Sequence, residues 1–330
     1  MFKFFFLFLC LALFLEAKTL SQTQVIMSTF ITISLDEKDK KYLKKGFEIF
    51  KDIDNSLSSY KSGAKIYQLN NELSVELDSY TYEALKLSQK YYKETDGYFD
   101  ITIGSITKNL YRFGEDERVV SKNELQKAKV GMDTLKYIKF KAFIKEGTKI
   151  DLGGIGKGFG VDKVAEYFKK NGVNSAIIAA SGDIRCLSIC KVDIQNPFEN
   201  KALLTFKTKK ENLGVTTSGS YNRFIKTIKH NHLINPKLKK PQTKFISITL
   251  IGSIPSAGLD AYATAVSVMP IKKAYKFLNS IDVAYVVLKS NKELTISKNI
   301  DKYTDELLLS DTIKNKPRYI YYKAQKHKKR

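Results

Sequence analysis

The sequence has few of the residues that most often bind zinc or form disulfide frameworks. Its 330 residues include three cysteines, three histidines and no tryptophan. The cysteines and histidines are Cys10, Cys186, Cys190, His230, His232 and His327. A zinc site needs three or four such ligands close together, and this spacing does not supply them. A disulfide between Cys186 and Cys190 requires neighbouring turns or a bent strand, because a flat strand would hold the two side chains too far apart.

Several common signatures are also missing. Lys157 is not followed by Ser or Thr, so the glycine-rich segment around it is not a Walker loop. The GxGxxG spacing of dinucleotide-binding proteins and the GxSxG elbow of serine hydrolases do not occur. No basic-aromatic recognition motif is present, and we therefore expect no nucleic-acid partner.

Acidic residues are scarce relative to basic ones. The chain has 34 Asp and Glu against 56 Lys and Arg, which gives a formal net charge of +22. We attribute most of this excess to lysines spread over solvated faces. The remainder would suit an anionic ligand, or association with an anionic membrane surface.

The first residues have the form of a signal peptide. Lys3 precedes a short apolar run from Phe4 to Phe14, and Leu15-Glu16-Ala17 resembles a cleavage site. The run is shorter than a comfortable membrane span. We predict a signal peptide at 1–17, a domain at 18–311 and a basic tail at 312–330. The protein is therefore expected in the periplasm, with an uncleaved inner-membrane tether as the alternative.

A glycine-rich segment, DLGGIGKGFGVD at residues 151–162, stands at the centre of the pattern. It follows alternating residues 137–150, which predict a hairpin, and it precedes a helical stripe that ends near Asn171-Gly172. Its glycines allow close approach of a ligand, and the start of a helix together with Lys157 favours an anion. A phosphate-bearing ligand is one interpretation. A tight turn that merely requires glycine is the other.

Periodicity predicts a mixture of strands and helices over the rest of the chain, and hence an α/β or α+β fold. The expected strands are 25–35, 175–180, 191–195, 202–207, 215–219, 224–235, 246–251 and 281–288, with an extended piece at 98–104. The expected helices are 36–54, 80–95 and 260–269, with a turn-rich segment at 55–71. Ser121 and Glu124 form a capping box for one more short helix.

Two pairs of residues are candidates for metal binding and for proton transfer. Asp260 and Thr264 lie one helical turn apart, so both oxygens face the same way and suit Mg²⁺ or Ca²⁺. The alternative is an acidic residue that complements a helix start and a threonine bonded within its helix. His230 and His232 lie two residues apart, and one of them is either a general base or a packing residue.

Taken together, these motifs resemble the ApbE family, the FAD:protein FMN transferases, from about Met27 to Met269. The matching segments are Met27-Ser28-Thr29, Ser58-Ser59-Tyr60, TDGYFDIT at 95–102, DLGGIGKGFGVD at 151–162, SGDI at 181–184, TSGSY at 217–221, HLINP at 232–236 and DAYATA at 260–265. Each segment is weak alone, but their order is specific.

The resemblance implies a two-lobed single domain of mixed sheets flanked by helices, with an FAD cleft between the lobes. It implies that FAD is cleaved at its diphosphate, that FMN is joined to a Ser or Thr of an acceptor flavoprotein such as a redox-pump or respiratory subunit, and that AMP leaves. The implied FAD-binding residues are Met27, Tyr60, Tyr98, Phe99, Asp100, Asp151, Lys157 and Gln242. The implied ligands of Mg²⁺, or of Ca²⁺, are Gly156, Asp260 and Thr264, and His232 is the implied base.

The sequence departs from the family pattern at a few positions. Asn235 stands where the family usually has Asp, and the orientation of His232 depends on that neighbourhood. Two alternatives therefore stay open. One is an FAD pyrophosphatase that makes FMN and AMP, and the other is a periplasmic FAD-binding protein without catalysis.

Overall fold

A computed structural model describes residues 18–310 and 319–321. The predicted signal peptide at 1–17 lies outside the described residues. Of the predicted tail at 312–330, the structure describes only Tyr319–Tyr321, which pair in parallel with a strand at 294–296. No helix in the described part of the chain has the length and apolarity needed to cross a bilayer.

In the described residues, seventeen strands form one large sheet and three small ones. The strands are β1 (Thr19–Ile26), β2 (Thr29–Asp36), β3 (Ser74–Glu76), β4 (Leu135–Ile138), β5 (Lys141–Ile144), β6 (Ala176–Ala180), β7 (Asp183–Cys186), β8 (Lys191–Gln195), β9 (Ala202–Thr208), β10 (Leu213–Gly219), β11 (Ile234–Asn235), β12 (Lys240–Pro241), β13 (Phe245–Gly252), β14 (Ala284–Lys289), β15 (Leu294–Ile296), β16 (Thr304–Leu309) and β17 (Tyr319–Tyr321). The large sheet has the order β1-β2-β6-β7-β10-β13-β14-β15-β17, and only its β15–β17 pair is parallel.

Eight α-helices accompany these strands in the described residues. They are α1 (Leu43–Leu57), α2 (Lys65–Glu72), α3 (Ser79–Glu94), α4 (Gly104–Thr107), α5 (Lys122–Lys127), α6 (Gly156–Lys170), α7 (Ser256–Val268) and α8 (Ile271–Leu278). Short 3₁₀ turns occur at Glu37–Tyr42, Met132–Thr134, Ile228–His230 and Ile300–Lys302. The architecture is the predicted mixed α/β single domain.

Helix α6 carries the glycine-rich segment into the centre of the molecule. It packs against α1 and α7, and α7 lies on β10 and β13 of the large sheet. The apolar stripe predicted for this helix is buried, which confirms its helical period. It consists of Val161, Val164, Ala165 and Phe168. The helix ends at Asn171, and Gly172 follows with a φ of 75°. The local pattern thus fixed both the helix and its end.

Three segments differ from the predictions. The strand predicted at 25–35 is two strands, β1 and β2, joined by a turn at Met27 and Ser28, whose φ angles are 55° and 56°. Neither residue is glycine, so the usual turn signal was absent. The extended piece predicted at 98–104 consists of turns that lead into α4, and the turn-rich segment at 55–71 contains most of α2. Tertiary packing overrides the local alternation in these places.

Two more predictions are wrong in detail. The strand predicted at 224–235 is an irregular loop with one 3₁₀ turn and the two-residue β11. Helix α7 begins at Ser256 rather than Asp260, so Asp260 lies in its second turn.

Cys186 and Cys190 form a disulfide with Cα atoms 6.0 Å apart, and the chain turns between β7 and β8, as their spacing required.

Candidate active site

A cleft of about 1020 Å³ collects the motifs of the sequence. Its walls come from the β1–β2 turn, the loop before α4, the glycine-rich segment, the β6–β7 turn, the end of β10 and helix α7. All the predicted site residues except one line this cleft: Met27, Tyr60, Tyr98, Phe99, Asp100, Asp151, Gly156, Lys157, His232, Asp260 and Thr264.

Gln242 is the exception, and its place in the FAD site stays a prediction. It does not line the cleft. Its side-chain oxygen accepts hydrogen bonds from the backbone N–H groups of Lys244 and Phe245, and its amide donates to the carbonyl of Phe245. These side-chain contacts shape the turn before β13, and the backbone N–H of Gln242 donates to the carbonyl of Leu233, which lines the cleft.

Close helix packing explains two of the glycines in the central segment. A Cβ added to Gly158 would lie 2.4 Å from the backbone oxygen of Ser256, and one added to Gly154 would lie 2.9 Å from Thr264 Oγ1. These glycines therefore let α6 and the preceding turn approach α7. The sequence left open whether the glycines serve a ligand or a tight turn, and at these two positions the close contacts are with another part of the chain.

The start of α7 is capped by a residue of α6. The carboxylate of Asp162 accepts hydrogen bonds from the N–H groups of Ser256, at 2.8 Å, and Ala257, at 2.9 Å. Arg185 lies 3.6 Å from the same carboxylate and donates to Ser256 Oγ at 2.8 Å. A cap from one helix to another fixes their relative position. This contact places Asp260 opposite Lys157.

Lys157, Asp183 and Asp260 form a buried group that we call the lysine–carboxylate cluster. Lys157 Nζ lies 3.1 Å from Asp183 Oδ2 and 3.3 Å from Asp260 Oδ2. Asp183 and Asp260 are only 1% and 3% exposed. Burial, and then the negative charge of Asp183, raises the pKa of Asp260. The two carboxylates outweigh the opposing effect of burial and raise the pKa of Lys157, so it stays charged.

The cluster has one unpartnered acceptor. Asp183 Oδ1 is buried and has no hydrogen-bond partner among the described residues. Two carboxylates share a single ammonium group, which leaves an excess of negative charge and a free oxygen in a buried place. Sequence reasoning missed Asp183 as a functional residue, although it lies in the SGDI segment that marked the family.

The oxygen atoms around this cluster suit a hard divalent cation. Thr264 lies one turn beyond Asp260 on α7, with its Oγ1 3.5 Å from Ser218 Oγ, and Gly156 opens α6 at the same cleft. No group of three or more His, Cys, Asp or Glu side chains that could hold a metal occurs in the described residues. A cation here would therefore take part of its ligands from hydroxyl, backbone and substrate oxygens, as Mg²⁺ commonly does.

His232 lines the cleft in a tautomer suited to accept a proton. Its Nδ1 lies 3.1 Å from the carbonyl oxygen of Arg223, so Nδ1 carries the hydrogen and Nε2 keeps its lone pair. Burial lowers the pKa of His232 to about 4, which keeps the ring neutral at physiological pH. His230 does not line the cleft, and its ring lies against Tyr111.

Asn235 does not hold His232. Its side-chain oxygen accepts from the N–H groups of Lys237 and Leu238, and its amide donates to the carbonyl of Val268 at 2.6 Å. Asn235 therefore shapes its own turn and ties that turn to the end of α7. The contact that supports His232 comes from the Arg223 carbonyl.

Tyr60, Lys108 and Arg223 form a second group, the rim, at the exposed side of the cleft. The Tyr60 hydroxyl donates to the Phe113 carbonyl at 2.7 Å and accepts from Lys108 and, at 2.9 Å, from Arg223. The Lys108 ammonium also lies over the Tyr60 ring, 3.7 Å from its centroid. Lys108 and Arg223 were missed, because single basic residues carry no signal in a lysine-rich chain.

Asp151 joins the rim to the glycine-rich turn. It accepts hydrogen bonds from Thr107 Oγ1 at 2.6 Å and from the N–H of Gly153 at 2.9 Å. Burial alone would raise the pKa of Asp151, but Lys108 and these hydrogen bonds together hold it below its usual value. Asp151 is therefore an anion that positions the turn.

An aromatic wall closes the cleft beside α8. Tyr98 and Phe99 are buried, and the ammonium groups of Lys237 and Lys273 lie 4.6 and 4.9 Å from the centroid of the Tyr98 ring. Burial raises the pKa of Asp100, in the same loop, to about 6. On the opposite wall, the Met27 N–H donates to Asp54 at 3.3 Å. Tyr98 and Phe99 thus give this wall of the cleft an aromatic lining.

The chain is similar to known proteins in sequence and in fold. A family model described as the ApbE family matches residues 27–287. A protein of Buchnera aphidicola named FAD:protein FMN transferase is 28% identical over 276 residues, which cover 77% of this chain and 80% of the relative. One of Haemophilus influenzae with the same name is 26% identical over 288 residues, covering 78% of this chain and 82% of the relative.

Solved structures share the fold. The ApbE protein of Thermotoga maritima superposes with a TM-score of 0.79 at 21% identity, covering 88% of this chain and all of that chain. The flavin transferase ApbE of Vibrio cholerae gives a TM-score of 0.76 at 19% identity, with 87% and 99% covered. The relatives named above are transferases. The chain belongs to the ApbE family.

Proposed function

We propose that the chain is an FAD:protein FMN transferase that joins FMN to a Ser or Thr hydroxyl of an exported flavoprotein and releases AMP. The observation that carries the proposal is the lysine–carboxylate cluster beside Thr264, in one cleft with the neutral ring of His232. The names of the relatives support the choice of FAD as donor and of a protein as acceptor.

The proposed transfer is a substitution at phosphorus. The acceptor hydroxyl oxygen bonds to the phosphorus of the FMN half, and the bond from that phosphorus to the bridging oxygen breaks. AMP keeps the bridging oxygen, and the hydroxyl proton moves to Nε2 of His232. A neutral imidazole is suited to this task because it can accept the proton without first losing one.

Positive charges of the chain bind the diphosphate. Lys157 lies at the inner end of the cleft, and Lys108 and Arg223 lie at the rim. Tyr60, Tyr98 and Phe99 offer ring faces to the flat parts of FAD. Met27 and Asp100 complete the walls of this binding region.

A divalent cation fits beside the cluster, with Mg²⁺ as the first choice and Ca²⁺ as the second. Asp260, Thr264 and Gly156 would hold it, and the free oxygen of Asp183 lies in the same cluster. When bound, it would neutralise charge on the diphosphate and stabilise AMP as the leaving group.

A mass measurement tests the proposal. The purified chain is mixed with FAD, MgCl₂ and the domain of a flavoprotein that is known to carry FMN on threonine. We expect an FMN adduct on the domain and equimolar AMP, both abolished by EDTA. Asp260→Asn is the matched inactive variant. AMP without an adduct would indicate a pyrophosphatase, and intact bound FAD would indicate a binding protein.

The export of the protein is part of the proposal. The segment at 1–17 supports a periplasmic location, where an acceptor domain would be met, and the basic surface would allow association with the membrane. Cell fractionation tests both points. Recovery of the protein in the cytoplasm would contradict them.

A further inference from the structure

The cleft reaches both faces of the large sheet. On β7, Asp183 faces α6 and α7, whereas Ile184 packs against a second hydrophobic core on the other face. On β10, Ser218 faces Thr264, whereas Val215 belongs to that second core. Ile184, Val215 and Ser218 line the cleft, and Asp183 contacts Lys157, which also lines it. Since side chains alternate along a strand, the cleft must pass over the strand ends and continue on the far face.

The cleft therefore has two arms. The helix arm contains the lysine–carboxylate cluster, the rim and the aromatic wall, and it accounts for every FAD-binding residue placed above. The sheet arm, on the far face, is lined by Ile184, Val215, Tyr221 and residues 192–195 of β8. The arms meet where β10 ends, at Ser218 and Gly219. Nothing in the binding of FAD uses the sheet arm.

Strand β8 presents its backbone edge to the sheet arm. Its residues Val192, Asp193, Ile194 and Gln195 all line the cleft, although Val192 and Ile194 are buried while Asp193 and Gln195 are exposed. Four consecutive residues with alternating side chains can line one cavity only if the edge of the strand faces it. The other edge of β8 pairs with β9.

The cleft-facing edge of β8 is free. The small sheet has the order β16-β9-β8, so β8 is its outer strand. Within residues 18–310, no backbone hydrogen bond joins residues 192–195 to any strand other than β9. A free row of N–H and C=O groups is a template for another extended chain, and proteins usually cover such an edge. Here the edge opens into the cleft instead.

We propose that the sheet arm binds an extended segment of the acceptor polypeptide, which adds to the free edge of β8 as an outer strand. The inference rests on the proposed function, which requires a polypeptide beside FAD. Ile184, Val215 and Tyr221 form an apolar wall for alternate side chains of the segment. The segment carries its hydroxyl to the end of β10, where the two arms meet.

Recognition of this kind depends mainly on the main chain of the acceptor. Backbone hydrogen bonds supply affinity, and pockets for alternate side chains supply specificity. The acceptor segment would therefore need an extended conformation and small or apolar residues at every second position, rather than one fixed sequence.

A matched pair of variants tests the site. Gln195→Trp places a large ring on the cleft edge of β8, and Gln22→Trp places the same ring on β1, the outer strand of the large sheet, away from the cleft. Both glutamines are exposed. We expect Gln195→Trp to raise the KM for the acceptor domain at least about tenfold. We expect unchanged FAD affinity by flavin fluorescence in both variants, and an unchanged acceptor KM in Gln22→Trp.

A peptide experiment tests the mode of binding. The probe is a synthetic peptide centred on the modified threonine of the acceptor domain, labelled for fluorescence anisotropy, with single N-methyl groups placed along its backbone. Strand addition predicts that N-methylation at every second amide abolishes binding, whereas methylation of the intervening amides is tolerated. An equal effect at all amides, or binding that Gln195→Trp leaves unchanged, would overturn the proposal.

The two proposals fail in different ways. If the unaltered chain forms the FMN adduct and Gln195→Trp matches Gln22→Trp, the docking site is wrong and the transferase stands. If the unaltered chain binds FAD but forms no adduct, the transferase proposal fails. The anisotropy measurement then still decides whether β8 binds an extended peptide.

Discussion

The lysine–carboxylate cluster and the rim lie in one arm of the cleft but are built in opposite ways. Lys157, Asp183 and Asp260 come from α6, β7 and α7, and both carboxylates are buried. Tyr60, Lys108 and Arg223 come from loops or follow the end of a short helix, and Tyr60 is 39% exposed. The first group is held by regular structure, whereas the second is held by side-chain contacts.

This difference indicates a division of labour. In the proposed function the cluster acts on the diphosphate, and its charges lie on elements that cannot move independently, because α6 and α7 touch backbone to backbone at Gly158 and Ser256. Groups on loops can adjust to the ligand as it enters. We therefore expect large effects from changes in the cluster and small effects from changes in the rim.

The largest expected effect is that of Asp260→Asn on the reaction. The change keeps the shape of the side chain and removes its charge, so a bound cation would lose a charged ligand and Lys157 would lose an ion-pair partner. We expect the transfer rate to fall about 1000-fold, as measured by adduct formation. Asp133→Asn, which changes an exposed ion pair with Lys145, is the control and should keep full activity. A loss of transfer rate below tenfold in Asp260→Asn would contradict the expected difference between the lysine–carboxylate cluster and the rim.

The packing beneath the cluster comes next. In Gly158→Ala the new Cβ meets the backbone of Ser256, which cannot rotate away. We expect a loss of about 3 kcal/mol in the free energy of unfolding, measured by urea denaturation. Gly63→Ala is the control, because a Cβ there has no neighbour within 4 Å. Equal stability of the two variants would show that α6 and α7 are not locked together.

His232 predicts a pH dependence of stability. Its pKa is about 4 in the folded chain and near 6.5 when unfolded, so between these values the unfolded state binds more protons. Stability contributed by the neutral ring is therefore lost as pH falls through this window. We expect His232→Gln to remove about 2 kcal/mol of the change in unfolding free energy between about pH 7.5 and pH 5. Identical pH slopes in urea denaturation would contradict this.

The rim gives the smallest effect. Tyr60→Phe removes the hydroxyl that contacts Lys108, Arg223 and the Phe113 carbonyl. We expect FAD to bind about fivefold more weakly, the equivalent of about 1 kcal/mol, with transfer unchanged at saturating FAD. Tyr137→Phe, which loses a surface bond to Gln89, serves as the control. A loss as large as that of Asp260→Asn would place the rim in the chemistry itself.

Much of the fold was predictable because its signals are local. Helix α3 ends where Asp96-Gly97 breaks the pattern, and α5 has both halves of its capping box. Strands β6, β8, β9 and β13 lie within one or two residues of the predicted ranges. Each of these features depends on residues that are close in sequence, and their spacing and side-chain types decide the backbone conformation.

The site was predictable as a set of residues but not as an arrangement. The family motifs named eleven residues that line the cleft, and they also named Gln242, whose side chain local hydrogen bonds hold in a turn. They also marked the segment that contains Asp183 without revealing that it shares Lys157 with Asp260. These three residues lie far apart in the chain, so the spacing of residues within a motif does not predict that they pair.

The sequence by itself determined the order of the elements, the helical face of α6, the one-turn spacing of Asp260 and Thr264, and membership of the family. The tertiary structure alone decided the turn at Met27 and Ser28, the capping of α7 by Asp162, and the exposure of the β8 edge to the cleft. The physical reason is the range of the interactions. Periodicity and caps act within a few residues, whereas a cleft forms only when distant segments pack together.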